Sequence, residues 1–254
     1  VHNDEFYSRL RFNPSLGAGE AYMDGLWDCD QLDDLFFKIC RHQLDAKIYK
    51  KWTILGQYLL NTVFNLQSRV RSKKVAEMHY NLSNDLYERM LGKSMAYTCG
   101  YWKNATTLDK AQYDKFDLIA RKLQLQPGER VLELGCGWGS FAKFIAENYG
   151  AKVVGVNIST EQVKYAKESC KGLPVEIHLC DYRDDQSYNP KGVLFDKVAS
   201  IGLCEHVGYK NYHEFMEVAR RNLKDDGLFL LHTIGRNDSA CFTDPWITKY
   251  IFPN

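Results

Sequence analysis

The apolar positions of this chain follow two periods. From residue 130 onward, short apolar runs alternate with longer stretches in which apolar residues recur every three or four positions. The runs, such as "RVLEL" and "KVVGVN", predict strands at 130–134, 152–157, 174–180, 194–200 and 227–234. The stretches between them predict helices over 139–149, 160–171 and 211–223. Strands that alternate with helices pack as a parallel α/β sheet. Near-continuous apolar runs also suit strands covered on both faces.

Upstream, the pattern is helical. Asp24 and Gly25 read as a turn, and a helix start follows around Asp28 to Asp30, with Leu32, Leu35, Phe36 and Ile39 at helical spacing. A second periodic stretch runs from Ile48 to Leu66 without proline. Residues 76–128 form another zone, with a helix stop at Gly92-Lys93, a helix over 108–125, and a Pro127-Gly128 turn that launches the first strand. The chain has no internal repeat and no low-complexity segment.

Composition narrows the picture. With 254 residues, 45% of them hydrophobic, the chain can bury a core for one large or two small domains. A net charge of +1 gives no general case for binding nucleic acid, and none is expected as a partner. The charge is unevenly placed: between Lys38 and Lys74 nine Lys/Arg face one acid, Asp45. Such a segment reads as a surface for anionic phosphates, or as a solvated helix face. The eight cysteines form no CxxC pair, so neither a zinc site nor a disulfide framework is expected, and a reducing cytoplasm fits. No apolar run is long enough to span a bilayer. The chain starts at Val1 without methionine and stops at Asn254, and both ends read as cut.

The chemistry starts at "LELGCGWGSF", residues 132–141. The spacing E-x-G-x-G-x-G differs from the dinucleotide pattern G-x-G-x-x-G, but both put a glycine turn between a first strand and a helix. Alternate glycines are more typical of S-adenosylmethionine sites; the alternative is a tight turn that serves helix packing only. After the second strand an acid would ordinarily take ribose hydroxyls. Here Asn157 stands there, with Gln162 as a second polar group. After the third strand, "LCDYRD" offers Asp181 for an adenine amino group and Tyr182 for the ring face, unless Asp181 is only a helix cap.

Taken together, "HYNLSNDLYERML", "MAYTCGYW", "VLELGCGWGSFAKFIA", "VVGVNISTEQ", "GLCEHVGYKNY", "LLHTIG" and "DPWITKYIFPN" resemble the cyclopropane-fatty-acyl-phospholipid synthases, with the mycolic acid cyclopropane synthases as more distant kin. The resemblance implies an α/β, Rossmann-like class I methyltransferase domain over 76–254, preceded by a helical, lipid-binding N-terminal domain over 1–75. It implies an enzyme that uses S-adenosylmethionine to add a methylene group across the cis double bond of an unsaturated acyl chain in a membrane phospholipid. It also implies a bound bicarbonate as the base, held by a Cys, a Glu, a His, an Ile and a C-terminal Tyr. The matching positions are Cys99, Glu205, His232 and Ile234.

The residues themselves agree. Glu205 and His232 follow the fourth and fifth strands, at the edge where open α/β sheets bind ligands. Glu205 can accept from a bicarbonate hydroxyl, His232 can donate, and the carboxylate is expected to raise the His232 pKa. The bland alternatives are a satisfied core histidine and a small buried cysteine.

The same resemblance puts Tyr97 and Thr98 against S-adenosylmethionine. It puts Gly135, Gly137, Trp138 and Gly139 around its methionine part, Asn157, Ile158 and Gln162 at the ribose, and Asp181, Tyr182 and Arg183 at the adenine. Tyr80, Tyr101 and Trp102 are candidates for the acyl pocket, or core aromatics. The expected partner is a phospholipid bilayer surface, met from the cytoplasmic side at the inner face of the membrane, and a homodimer is left open. A sheet of this class continues with two more strands, and these and the C-terminal tyrosine have no counterpart before Asn254. Rival readings are a methyltransferase for a small amine or a methyl-branched fatty acid, and a binding-competent but inactive fragment.

Overall fold

The computed structural model describes residues 1–42, 44, 84–235 and 244–251. The chain divides into two compact units, residues 1–66 with 236–254, and residues 67–235.

In the first unit, the described helices are α1 (Glu5–Phe12), α2 (Pro14–Met23) and α3 (Leu32–Arg41), together with a helix from the far end of the chain, Pro245–Tyr250. That last helix packs on α2. Lys249 pairs with Glu20, the Tyr250 hydroxyl donates to Glu20 at 2.8 Å, and the Trp246 ring fills the space a side chain at Gly19 would need. The "PWITKY" segment thus groups with the N-terminal helices, although a boundary at residue 75 assigns it to the sheet domain. Asp33 and Asp34 lie in the first turn of α3 and Lys38 and Arg41 in its last, which suits the helix dipole.

The second unit opens with α4 (Asn84–Leu91), a 3₁₀ turn at Gly92–Ser94 and α5 (Leu108–Lys122). Its sheet has five parallel strands: β1 Arg130–Leu134, β2 Lys152–Asn157, β3 Val175–Leu179, β4 Phe195–Ile201 and β5 Leu223–His232, in the order β3-β2-β1-β4-β5. The helices that follow the strands are α6 (Ser140–Tyr149), α7 (Thr160–Ser169), α8 (Asp185–Tyr188), then α9 (Cys204–Val207) with α10 (Tyr212–Asn222). The predicted class I methyltransferase α/β architecture is what forms.

Pleating sorts the core. Val131 of β1 faces Phe116, Ile119, Phe141 and Ile145 of α5 and α6. Leu132 and Leu134 have the opposite phase in the strand, and both lie in the second layer with Phe215 and Val218 of α10. Glu133 shares the phase of Val131, so an acid is carried into the α5/α6 side and buried at 3% exposure. β5 begins at Leu223, four residues before its expected start. Its register against β4 jumps between Phe195 and Lys197, and the polar "KDDG" bulges out where no apolar run could signal a strand.

Candidate active site

Strand order reverses between β1 and β4, and the glycine loop leaves β1 at that crevice. Gly135, Gly137 and Gly139 all adopt positive φ, at 75°, 55° and 78°. Their missing side chains serve different ends. A Cβ on Gly139 would lie 3.0 Å from Ala166 Cβ, so this glycine lets α6 and α7 pack closely. A Cβ on Gly137 would meet nothing within 4 Å, and its backbone stands bare toward open space.

Asn157, at the end of β2, ties that loop down. Its amide donates to Gly137 O at 3.2 Å and to Gln162 Oε1 at 2.7 Å, and its oxygen accepts from Ile158 N at 2.8 Å. The two polar groups expected at a ribose are therefore bonded to each other, and Gln162 is buried. Trp138 is 3% exposed. It donates to Asn84 Oδ1 at 3.0 Å and packs on Tyr87, 4.8 Å between ring centroids, so it braces α4 against the loop. Asp181 does not cap a helix: it accepts from Arg183 Nε at 2.7 Å and Nη2 at 2.6 Å in a two-pronged pair. Tyr182 meets Phe215 edge-on at 5.5 Å.

The remaining predicted residues come together at the ends of β4 and β5. Residues 96–101 lie along α5: Gln112 donates to Thr98 O at 2.8 Å, Tyr101 N donates to Ala111 O at 2.9 Å, and a Cβ on Gly100 would sit 2.8 Å from Ala111 Cβ. Gly202, just after β4, donates to His232 O at 3.0 Å, and any side chain on it would strike Thr98. These contacts bring Cys99 Sγ to 3.7 Å from His232 Nε2. Glu205 Oε1 accepts from Ile234 N at 2.8 Å. Four residues spread over more than a hundred positions thus meet as two bonded pairs. Glu205 Oε2 and His232 Nδ1 are buried without a partner, a donor set suited to a small molecule that both donates and accepts. Tyr97, Tyr101 and Trp102 are exposed. Tyr80 lies outside the described residues.

Two further charged residues of this neighbourhood are buried: one stands outside every quoted motif, the other is the Glu that opens E-x-G-x-G-x-G. Lys115 of α5 is 4% exposed and donates to Thr98 Oγ1 at 2.6 Å. Burial pushes its ammonium down to about 8. The signal was available: Gln112 and Lys115 occupy the same helical face as Ala111, Phe116 and Ile119, where an apolar residue is the rule. His232 is shifted as well. Burial, with the charge of Lys115, holds its imidazole below the usual value and outweighs the Glu205 carboxylate. The upward shift expected from Glu205 alone is reversed.

Glu133 is the second residue. Burial raises its carboxyl from 4.5 to about 8, against a backbone hydrogen bond from Ala142 and the Lys115 charge. The folded protein therefore keeps a proton that the unfolded chain has released. Its contribution to stability is full below about pH 4.5 and is lost as pH rises through about 8. Thermal melts between about pH 5 and pH 8 should show a steeper fall with pH for the wild type than for Glu133→Gln. Equal slopes would contradict the shift.

The family model described as mycolic acid cyclopropane synthetase matches residues 67–254. The chain belongs to the cyclopropane synthase family. It is 49% identical over its whole length to the cyclopropane-fatty-acyl-phospholipid synthase of Escherichia coli K12, and spans 65% of that relative's length. A crystal structure of mycolic acid cyclopropane synthase CmaA1 complexed with SAH and CTAB superposes with a TM-score of 0.57 at 31% identity, covering 62% of this chain and 55% of that one. Coclaurine N-methyltransferase, bound to N-methylheliamine and SAH, also scores 0.57, at 26% identity over 81% of this chain and 58% of that one. Among the described residues no helix is long and apolar enough to cross a membrane.

Proposed function

We propose that this chain belongs to an enzyme that takes the methyl carbon of S-adenosylmethionine and inserts it as a methylene bridge across the cis double bond of a phospholipid acyl chain. The observation that carries this reading is the meeting of Cys99, Glu205, His232 and Ile234 at the strand ends, in a chain of this family. The bare backbone at Gly137, beside the loop held by Asn157, suits the methionine part of S-adenosylmethionine, which supplies an electrophilic methyl group. The unpartnered atoms Glu205 Oε2 and His232 Nδ1 suit bicarbonate, which supplies a base for the proton lost when the ring closes.

The residues then have defined tasks. An alkene is a weak nucleophile, so the walls must hold it in line with the methyl group. Methyl addition leaves a carbocation on the acyl chain, and water must be kept from it. Exposed Tyr97, Tyr101 and Trp102 offer π faces that favour a cation. Glu205 would accept a hydrogen bond from the hydroxyl of the base and so fix its orientation. His232, held neutral, can donate one hydrogen bond and spares the base from competition with an imidazolium. The proton leaves the added methyl carbon, and that carbon's electron pair closes the ring. The basic stretch from Lys38 onward would hold the enzyme on anionic lipid; apart from Lys38 and Arg41 it lies outside the described residues.

The similarity to an amine N-methyltransferase motivates a second reading, methyl transfer to a small amine. Bicarbonate separates the two, because an amine brings its own nucleophile and its proton can leave to water. Turnover on monounsaturated phosphatidylglycerol vesicles, in buffer purged of carbon dioxide, should rise and saturate as bicarbonate is added. A flat response, with methylation of an amine instead, would reject the first reading.

A further inference from the structure

Lys115 is the strongest unexplained group in the sheet unit. It shares the buried face of its helix with Ala111, Phe116 and Ile119, and its Nζ sits 4.6 Å from the Phe116 ring centroid. An ammonium carries three donors. Thr98 Oγ1 takes one, and among the described residues no carboxylate is bonded to the group. A buried cation without an anion is strongly disfavoured, so such a charge is kept only where something compensates it.

The buried acid whose field reaches it does not. Glu133 has Oε2 without a partner, and burial leaves its carboxyl proton-bearing at neutral pH. Glu205 acts on His232 with the opposite sign to Lys115. The imidazole thus feels the Glu205 carboxylate and the Lys115 ammonium with opposite signs, with Lys122 adding weakly to the lysine's effect; Cys99 lies against its Nε2, and Thr98, the residue before Cys99, holds the ammonium. Buried polar atoms facing no partner, beside an uncompensated positive charge, call for a small oxyanion.

We propose that Lys115 supplies the fixed positive charge that holds bicarbonate beside His232 and Glu205, and so positions the base for the reaction; this rests on the function proposed above. Thr98 aims the ammonium, and Gln112 aims Thr98. The lysine also keeps His232 neutral, so one charge serves both the anion and its hydrogen-bond partner. The charge is present below about pH 8 and fades above it, because burial lowers the lysine rather than the anion.

The test compares the wild type with Lys115→Met and Lys115→Arg. In Lys115→Met the bicarbonate concentration for half-maximal turnover should rise about 10- to 100-fold, the loss expected for one charged hydrogen bond. The dissociation constant for S-adenosylmethionine should stay within about threefold, and Lys115→Arg should recover part of the loss. Two readouts do not depend on turnover. The ¹³C line of labelled bicarbonate should broaden with the wild type and not with Lys115→Met, and the His232 imidazole should titrate at higher pH in Lys115→Met. If Lys115→Met does not fold, the wild type decides: its bicarbonate affinity should fall as pH passes about 8. Unchanged bicarbonate affinity in Lys115→Met, or in the wild type across that range, overturns the role of Lys115 and leaves the proposed function standing. A wild type indifferent to bicarbonate overturns both.

Discussion

Glu205→Gln should lower turnover by about 10²- to 10⁴-fold, the range for a group that governs proton transfer, while S-adenosylmethionine binds as before. The substitution is a narrow one. Glutamine keeps the shape and can keep an oxygen on Ile234 N, now at 2.8 Å from Glu205 Oε1. It removes the negative charge and turns the unpartnered Oε2 from an acceptor into a donor. The hydroxyl of the base then has nothing to donate to. The carboxylate also raises the His232 pKa against Lys115 and burial, so its loss should push the imidazole further down. Single-turnover kinetics with an NMR titration of His232 reads both effects. A rate within about threefold of wild type would remove Glu205 from the mechanism.

Gly137→Ala should weaken S-adenosylmethionine binding by about 10- to 100-fold with the fold retained. A non-glycine residue at φ 55° costs on the order of 1–2 kcal/mol, which is strain the sheet unit can bear. The added methyl meets no protein atom within 4 Å, so it projects where the ligand's methionine part would lie. Gly139→Ala should do the opposite. Its methyl would press on Ala166 Cβ at 3.0 Å and on Cys170 Sγ at 3.3 Å, so the melting temperature should fall more than affinity. Calorimetric titration and thermal melts of the two variants separate the roles. If Gly137→Ala bound as tightly as wild type, the loop would be a packing turn and nothing more.

The sheet was legible because its central strands are mostly apolar runs bounded by polar residues. β1 and β2 begin and end where the pattern puts them, and the parallel order follows from the helices between. The start of β5 was not, because the polar "KDDG" bulges between Leu223 and Leu228, the two residues that pair with β4 on either side of it. α8 and α9 are a single turn each, too short for any period to show. The site divides the same way. Residue identity pointed to Asn157 and Gln162, but the direction of a side chain is a matter of packing, and these two bond to each other. Trp138, expected around the methionine part, packs on Tyr87 and donates to Asn84, contacts that residue identity alone did not show. Lys115 escaped notice because a lysine in a helix is ordinarily solvated, and only its phase against Phe116 and Ile119 marks it as buried.

The central claim is that a methyl carbon becomes a ring carbon on a lipid chain. The direct measurement is mass spectrometry of monounsaturated phospholipid vesicles after incubation with S-adenosylmethionine carrying a CD₃ group. Ring closure takes the lost proton from the transferred carbon, so the lipid should gain one CD₂ per modified chain, with its double bond gone. A gain of CD₃ in place of one hydrogen, with a double bond kept, would mean a methyl-branched product. Unchanged lipid under conditions where an added amine is methylated would contradict the account altogether.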